Sequence, residues 1–250
     1  MSPGKAGAAD LTAHGDAVDT GDAGDVGDTP QFVDWLASSV HDMKNSLGFV
    51  LNSLEELALA DTPVLSREAL GKLLFESGQV SRQLLQLLAL FKMERANLAL
   101  NAADHDVQEF LEDCRLLQLP LIETKSLRCE VDCPPGLHWA FDSELIAGVV
   151  ANAIGNALRY ARSALCLAAE RRGDVLELRI DDDGPGFPES MLQRVDAPVE
   201  RVDFHSGSTG LGLYFSSQVA AMHHHDERRG AITLRNGGSL GGGSVLITLP

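Results

Sequence analysis

A histidine, an aspartate and an asparagine stand close together near the start of a leucine-rich segment, as His41, Asp42 and Asn45. On a helix, His41 and Asn45 are neighbours on one face because they are four positions apart. A neutral imidazole nitrogen is a competent nucleophile toward a terminal phosphate, and an adjacent carboxylate can orient the ring or accept its proton. The spacing therefore indicates a phosphoryl acceptor. The alternative is an ordinary exposed histidine on a helix.

Two further asparagines, Asn152 and Asn156, lie one turn apart in a segment predicted to be helical from Ser143 to Tyr160. The opposite face of this helix is apolar. A carboxamide oxygen is a hard ligand suited to Mg²⁺, which keeps several waters and bridges substrate phosphates. The pair therefore indicates a metal and phosphate site, or alternatively two polar groups satisfied inside a core.

Two glycine-containing segments follow these asparagines. Asp182, Gly184 and Gly186 end an apolar strand, where the backbone can approach a flat ligand and a carboxylate can accept an amino N–H. Residues 207–213, with the sequence GSTGLGL, open a predicted helix whose free N–H groups suit a phosphate chain. No lysine follows these glycines, so the segment is not a P-loop.

The histidine segment belongs to a pair of heptad patterns. Apolar residues alternate at spacings of four and three from Leu36 to Leu57, and again from Leu70 to Phe91 after a break at residues 61–63. The sequence therefore predicts an antiparallel helical hairpin. One hairpin cannot bury both apolar seams, so we expect two copies to form a four-helix bundle, that is, a homodimer. In this heptad frame His41 and Asn45 face away from the seam.

Beyond residue 104 the pattern mixes helices and strands and predicts an α+β fold, with an α/β sandwich and a mixed sheet after the hairpin. The expected elements are helices at 106–118, 143–160 and 211–222, and strands at 128–132, 164–170, 175–181, 231–235 and 244–249. The expected divisions of the chain are an acidic disordered tail at 1–30, the hairpin at 31–100 and the sandwich domain at 101–250.

Composition restricts the partners and the location. The net charge of −16 and the pI near 4.8 argue against nucleic acid, because phosphates would be repelled over most of the surface. No run of about 18 apolar residues and no signal peptide are found, so we expect no membrane span and a cytoplasmic protein. The four cysteines form no CxxC pair, and we expect His223, His224 and His225 at a helix end that reaches solvent.

The string SSVHDMKNSLGFVLNSLEEL at residues 38–57 resembles the H-box of sensor histidine kinases of two-component systems. His41, Asp42 and Asn45 match that motif in register. The resemblance implies that His41 is autophosphorylated and that Asp42 helps as a base. It also implies that Asn45 positions water for dephosphorylation of a partner regulator.

The later motifs, in their order, resemble the ATP-binding domain that histidine kinases share with Hsp90 and MutL. The resemblance implies that Asn156 holds Mg²⁺, that Asp182 binds the adenine amino group and that Arg159 contacts phosphate. Residues 198–203 resemble the mobile lid, with Val199 in place of the usual phenylalanine, and Ser208 stands where many members have glycine. The matched nucleotide-binding positions are Asn152, Asn156, Arg159, Tyr160, Asp182, Gly184, Gly186, Gly207, Thr209, Gly210, Leu211 and Gly212.

The resemblance predicts a protein-histidine kinase that uses ATP and Mg²⁺ to phosphorylate His41 and passes the phosphoryl group to an aspartate of a response regulator receiver domain. Phosphatase activity toward that regulator is a further expectation. No input domain precedes His41, so we expect the signal to arrive through a separate sensor protein, the tail or the dimer contacts. The alternatives are an ATP-independent phosphotransfer adaptor, and a nucleotide-driven switch or serine kinase of the same superfamily.

Overall fold

The computed structural model describes residues 1, 40, 43–54, 67–94, 98–192 and 211–250. The expected tail, His41, Asp42, the lid segment, Ser208, Gly207, Thr209 and Gly210 lie outside the described residues. The helices are α1 (43–54), α2 (Arg67–Glu94), α3 (Val107–Thr124), α4 (Ser143–Tyr160), α5 (Glu189–Leu192) and α6 (Leu211–Met222). The strands are β1 (Ala103–Asp106), β2 (Arg128–Asp132), β3 (His138–Phe141), β4 (Ala164–Arg172), β5 (Val175–Asp182), β6 (His224–His225), β7 (Arg228–Arg229), β8 (Ala231–Asn236) and β9 (Gly243–Leu249).

Helices α1 and α2 are antiparallel, as the hairpin prediction requires. The Ser46 hydroxyl donates to the Glu76 carboxylate at 2.6 Å, and the Lys72 ammonium lies 4.4 Å from the centre of the Phe49 ring. A later residue of α1 thus meets an earlier residue of α2. Several hairpin leucines remain about half exposed in the single chain: Leu47, Leu51, Leu54, Leu70, Leu74, Leu84, Leu85 and Leu88.

Five strands form one mixed sheet in the order β2-β4-β5-β9-β8. Strand β2 is parallel to β4, and the remaining neighbours are antiparallel. Side chains alternate along β5, so Leu176, Leu178 and Ile180 are buried while Glu177 and Arg179 are only partly covered. The buried face packs against α3, α4 and α6, which confirms helices on one face of a mixed sheet.

Side-chain caps fix where two of these helices begin. The Asp106 carboxylate accepts from the Glu109 N–H at 3.0 Å, and the Asp142 carboxylate accepts from the Leu145 N–H at 3.0 Å. Each cap satisfies a donor that the first helical turn leaves without a partner. Helix α4 begins at the Asp142 cap, and its Asn156 is exposed at the surface of the domain.

Three features differ from the expectations. Helix α3 continues past Pro120 to Thr124, because the carbonyl that the proline leaves without a donor belongs to Leu116, which is half exposed. Strands β1 and β3 pair with each other in a separate antiparallel ribbon that the short, polar β1 did not suggest. The expectation that His223 reaches solvent is wrong: it is 4% exposed, although its two neighbours are exposed.

The four cysteines are free thiols. Burial, together with the charge of Asp113, raises the pKa of Cys114 to about 12, and burial also raises the pKa of the other three. The raised pKa values favour the protonated thiol at neutral pH. None of the helices that the structure describes is long and apolar enough to cross a membrane.

Candidate functional site

A pocket of about 490 Å³ opens beside α4 at the end of β5. It brings together four of the predicted nucleotide-binding residues: Asn156, Tyr160, Asp182 and Gly186. The other lining residues are mostly apolar: Ala153, Ala157, Ile180, Pro185, Phe187, Pro188, Met191, Gly243 and Val245. An apolar pocket with a few polar groups suits a flat heterocycle whose edge carries hydrogen-bonding groups. We call it the base pocket.

Asp182 is the buried carboxylate of the base pocket. Its Oδ1 atom accepts from the Gly184 N–H at 2.7 Å and from the Gly243 N–H at 3.2 Å. These two donors hold the side chain in place. Because both use Oδ1, the other oxygen, Oδ2, is the atom that a ligand amino group would reach.

The loop that follows Asp182 is held by Asn236, which the sequence did not indicate. The Phe187 N–H donates to Asn236 Oδ1 at 2.7 Å, and Asn236 Nδ2 donates to the Phe187 carbonyl at 2.9 Å. Gly186 has φ +81°, and a Cβ there would lie 2.6 Å from Asn236 Oδ1. Both the left-handed conformation and the close approach require glycine at this position.

The aspartates on either side of Asp182 serve the scaffold. Asp181 is fully buried, pairs with Arg179 at 3.1 Å and accepts from the Ser239 hydroxyl at 2.7 Å, which ties β5 to the β8–β9 turn. Asp183 accepts from the Ser163 hydroxyl at 2.6 Å and the Arg162 N–H at 2.8 Å. Burial acts to raise the pKa of Asp183, but the hydrogen bonds from Ser163 and Arg162 outweigh it and hold the pKa well below its usual range. The three carboxylates therefore do not converge on one point, as the alternation of strand residues predicts.

A second cavity, of about 90 Å³, adjoins the base pocket and shares Asn156, Phe187 and Met191 with it. Asn152, Gly155, Arg159 and Gly212 line this second cavity, so we call it the asparagine cavity. Asn152 donates to the Ser216 hydroxyl at 3.2 Å, which joins α4 to α6. A Cβ at position 212 would collide with the Asn152 side chain, so a larger residue there would require Asn152 to shift.

Arg159 lies exposed near the end of α4 and donates to the Gln79 side-chain oxygen of α2 at 3.4 Å. Nearby, the Lys125 ammonium donates to the Leu158 carbonyl at 2.6 Å. Burial, with a smaller contribution from the charge of Arg159, lowers the pKa of Lys125. This end of the asparagine cavity is therefore electropositive and suits an anion.

The residues present fit a magnesium ion only if a substrate completes its coordination. No group of three His, Cys, Asp or Glu side chains that could hold a metal occurs in the part of the chain that the structure describes. Asn156 is exposed and lines both the base pocket and the asparagine cavity. One carboxamide oxygen, with water and phosphate oxygens, is a coordination shell that Mg²⁺ accepts.

The structure does not bring every predicted residue to one place. Asn45 is exposed on α1, as predicted, and lines neither of the two cavities. Leu211 is buried at the start of α6 and serves packing. The sequence reasoning missed four α2 side chains that line the asparagine cavity, because α2 was interpreted only as a heptad seam: Gln79, Arg82, Gln83 and Gln86.

This fold and site define a nucleotide-binding domain of the histidine kinase-like ATPase class. Residues 141–250 match the family described as histidine kinase-, DNA gyrase B-, and HSP90-like ATPase. The chain is 26% identical over 199 residues to the sensor-like histidine kinase SenX3 of Mycolicibacterium smegmatis, an alignment that covers 76% of this chain and 52% of SenX3. The chain thus spans about half the length of this curated relative.

Solved structures show the same fold. The histidine kinase AdeS of Acinetobacter baumannii superposes with a TM-score of 0.57 and 21% identity, covering 83% of this chain and 95% of AdeS. The histidine kinase ThkA, in complex with the response regulator protein TrrA, superposes with a TM-score of 0.58 and 16% identity, covering 86% of this chain and 60% of ThkA. In sequence, the chain is thus similar to sensor histidine kinases, and its residues 141–250 match the ATPase family.

Proposed function

We propose that the chain is a histidine kinase of a two-component system that phosphorylates His41 with ATP and passes the phosphoryl group to a response regulator. The observation that carries the proposal is the base pocket, where Asn156, Tyr160, Asp182 and Gly186 line one cavity of about 490 Å³. The segment that resembles the H-box supplies the acceptor, His41, which lies with Asp42 outside the described residues.

The base pocket and the asparagine cavity give each end of ATP a place. The adenine ring packs against the apolar walls of the base pocket, and its amino group donates to Asp182 Oδ2. The phosphates extend past Asn156 toward the asparagine cavity, Arg159 and the start of α6, where helix N–H groups favour an anion. A magnesium ion at Asn156 would neutralise phosphate charge.

The chemical step is an in-line displacement. A ring nitrogen of His41 attacks the γ-phosphorus, the bond from this phosphorus to the bridging oxygen breaks, and ADP leaves with the electron pair. The ring proton passes to Asp42. Positioning and charge neutralisation are the main catalytic contributions, because phosphoryl transfer asks little further covalent chemistry of the protein. The phosphoryl group then moves to the carboxylate of a receiver aspartate.

Asn45 gives the hairpin a second role in this proposal. Its side chain is exposed on α1, one helical turn after His41 in the sequence. There it can orient a water toward the phosphoaspartate of a docked receiver. The proposed protein is therefore both a kinase and a phosphatase for one regulator, and ThkA in complex with TrrA is a related pairing of kinase and regulator.

A homodimer is part of the proposal because the hairpin leaves its apolar seam uncovered. Leu47, Leu84 and Leu88 keep 48–52% of their surface exposed in the single chain. A second hairpin related by twofold symmetry would cover them.

The proposal also implies a location. Since ATP and a receiver must both reach the chain, the proposal places the hairpin and the ATP-binding domain in the cytoplasm.

Labelling with γ-labelled ATP and Mg²⁺ tests the kinase proposal. We expect wild-type protein to gain acid-labile, base-stable label and expect His41→Ala and Asn156→Ala to gain none. His225→Ala and Asn101→Ala are matched controls, because His225 is exposed outside both cavities and Asn101 bonds Asp142 through its backbone N–H. Neither label nor nucleotide binding in wild type would contradict the proposal and favour the adaptor. Acid-stable label would favour a serine kinase.

A further inference from the structure

One face of α2 lies against the ATP-binding domain. Gly71 packs on Thr124 at the end of α3 so closely that a Cβ at position 71 would collide with it. One turn later the Phe75 ring lies 5.3 Å from the Lys125 ammonium, and one turn after that Gln79 accepts from Arg159. Helix α2 thus runs from the end of α3 toward the asparagines of α4.

The next residues on this face are polar and enter the asparagine cavity. Gln79, Arg82, Gln83 and Gln86 have the spacing of one helical face and line it together with Asn152, Asn156 and Gly212. Gln83 and Gln86 are each 6% exposed. Amides are seldom buried this deeply on a hairpin helix unless a partner satisfies them.

The side-chain oxygen of Gln83 lacks such a partner among the described residues. This oxygen is buried and accepts no hydrogen bond from them. A buried hydrogen-bond acceptor that has no donor lowers the stability of the fold, because it has lost its hydrogen bonds to water. A hydroxyl group or a water of hydration that entered the asparagine cavity with a ligand would remove this cost.

Arg82 offers the complementary donor. Its guanidinium lies against Gly155, where an added Cβ would be 3.5 Å from Nη2. Burial lowers the pKa of Arg82, and no carboxylate among the described residues pairs with it. A partly desolvated guanidinium gains most from an anion that presents two oxygens, as a phosphate does.

A nucleotide in the base pocket would bring such an anion. The base pocket and the asparagine cavity meet at Asn156, Phe187 and Met191. The asparagine cavity, at about 90 Å³, exceeds the space that one water needs, which is on the order of 10–15 Å³. A phosphate group leaving the base pocket past Asn156 would meet α2, because Arg82 and Gln83 of α2 line the asparagine cavity.

We propose that α2 completes the phosphate end of the nucleotide site, with Arg82 donating to a nucleotide phosphate and Gln83 accepting from a nucleotide hydroxyl or a hydrating water. This inference rests on the nucleotide binding in the proposed function and adds a contribution from the hairpin. ATP then binds more tightly when α2 is docked, and by linkage ATP strengthens the docking of α2. A signal that moves the hairpin changes the affinity for ATP.

Calorimetric binding of adenosine, AMP, ADP and a non-hydrolysable ATP analogue to the full chain with Mg²⁺ tests this inference. Arg82→Ala is expected to lower the affinity for the ATP analogue by about 10- to 100-fold. It should lower the affinity for ADP and AMP less and leave the affinity for adenosine unchanged. Arg82→Lys should recover part of the affinity, because it keeps the charge without the two-pronged donor. Gln83→Met should lower the affinity for every nucleotide by about 3- to 10-fold.

Lys92→Ala is the matched control, because Lys92 is an exposed cation on the same helix outside the asparagine cavity. Thermal unfolding of each variant shows whether it folds. For Arg82→Ala, equal loss for adenosine and the ATP analogue, no loss for either, or tighter binding would overturn the inference; tighter binding would mean that α2 blocks the site. If Asn156→Ala weakens ATP while Arg82→Ala does not, only this inference fails. If wild-type protein binds no nucleotide, both the proposed function and this inference fail.

Discussion

Leucines are covered differently in the ATP-binding domain and in the hairpin. Leu167 and Leu178 in the sheet are fully buried, whereas Leu47, Leu84 and Leu88 in the hairpin keep 48–52% of their surface exposed. The sheet and its helices close one apolar core within a single chain. The hairpin does not, so its stability should depend on a second copy and on the contact that α2 makes with the domain.

The largest expected effect is in the domain core. Leu178→Ala removes a fully buried side chain from β5 and should lower the free energy of unfolding of the domain by about 2–5 kcal/mol. Urea unfolding followed by circular dichroism measures this change, which should not vary with protein concentration. Leu117→Ala on α3, where the leucine is 75% exposed, is the control and should change stability by less than about 0.5 kcal/mol.

The next effect concerns association of the hairpin. Leu84→Asp places a charge in the predicted apolar seam and should weaken dimerisation by about 10- to 100-fold, because the carboxylate must be desolvated on association. Sedimentation equilibrium measures the dissociation constant. Leu117→Asp makes the same change away from the hairpin and should leave it unaltered. Wild-type protein that is monomeric at tens of micromolar would contradict the comparison.

A smaller effect is expected at the loop of the base pocket. Asn236→Ala removes both bonds to the Phe187 backbone and should cost about 1–2 kcal/mol of stability. Affinity for adenosine should fall by roughly 5- to 10-fold, because the loop that positions Gly186 loosens. Calorimetry with adenosine separates this effect from phosphate contacts. Unchanged adenosine affinity would mean that the loop keeps its shape without Asn236.

The smallest effect is a dependence on pH. His223 Nε2 accepts from the Asp142 N–H at 3.0 Å, and Nδ1 donates to the Val219 carbonyl at 2.8 Å, so the ring is neutral. Burial lowers the pKa of His223 in the folded state. Above the unfolded-state pKa of about 6.5, the histidine is neutral in both states and does not lower the stability of the fold. Below that pH, the unfolded chain binds a proton that the folded chain does not, so the unfolded state is favoured.

Stability should therefore fall from pH 7 to pH 5, by at most about 1.4 kcal/mol per pH unit from this residue. Urea titrations at pH 7, 6 and 5 measure the loss. His223→Gln should flatten the dependence, whereas His225→Gln, a change at an exposed histidine, should retain it. An equal slope in both variants would assign the dependence to other groups.

Local patterns predicted most of the domain. Helix α4 and helix α6 begin and end as predicted, because their apolar patterns are local in sequence. The end of α3 could not be predicted from Pro120, since the cost of a proline depends on whether the freed carbonyl reaches water. Strand β1 pairs with β3, more than 30 residues later, and four mostly polar residues carry no periodicity that shows this.

The sequence predicted only part of the candidate site, because local motifs are visible in a sequence and contacts between distant residues are not. Asp182 and Asn156 belong to local motifs and line the same base pocket. Asn236 is distant in sequence from the loop it holds, so only the fold shows its role. Arg82 and Gln83 had the polarity expected of a solvated helix face, and the packing of α2 on the domain places them in the asparagine cavity.

Locating the labelled phosphoryl group within the chain tests the central claim most directly. Wild-type protein is incubated with ATP and Mg²⁺, digested at neutral to basic pH to preserve phosphohistidine, and mapped by mass spectrometry. The account predicts one phosphorylated site, His41, and its loss when Asp182→Asn removes the carboxylate charge beside the adenine. A phosphoryl group on a serine, on another histidine, or undiminished in Asp182→Asn would contradict it.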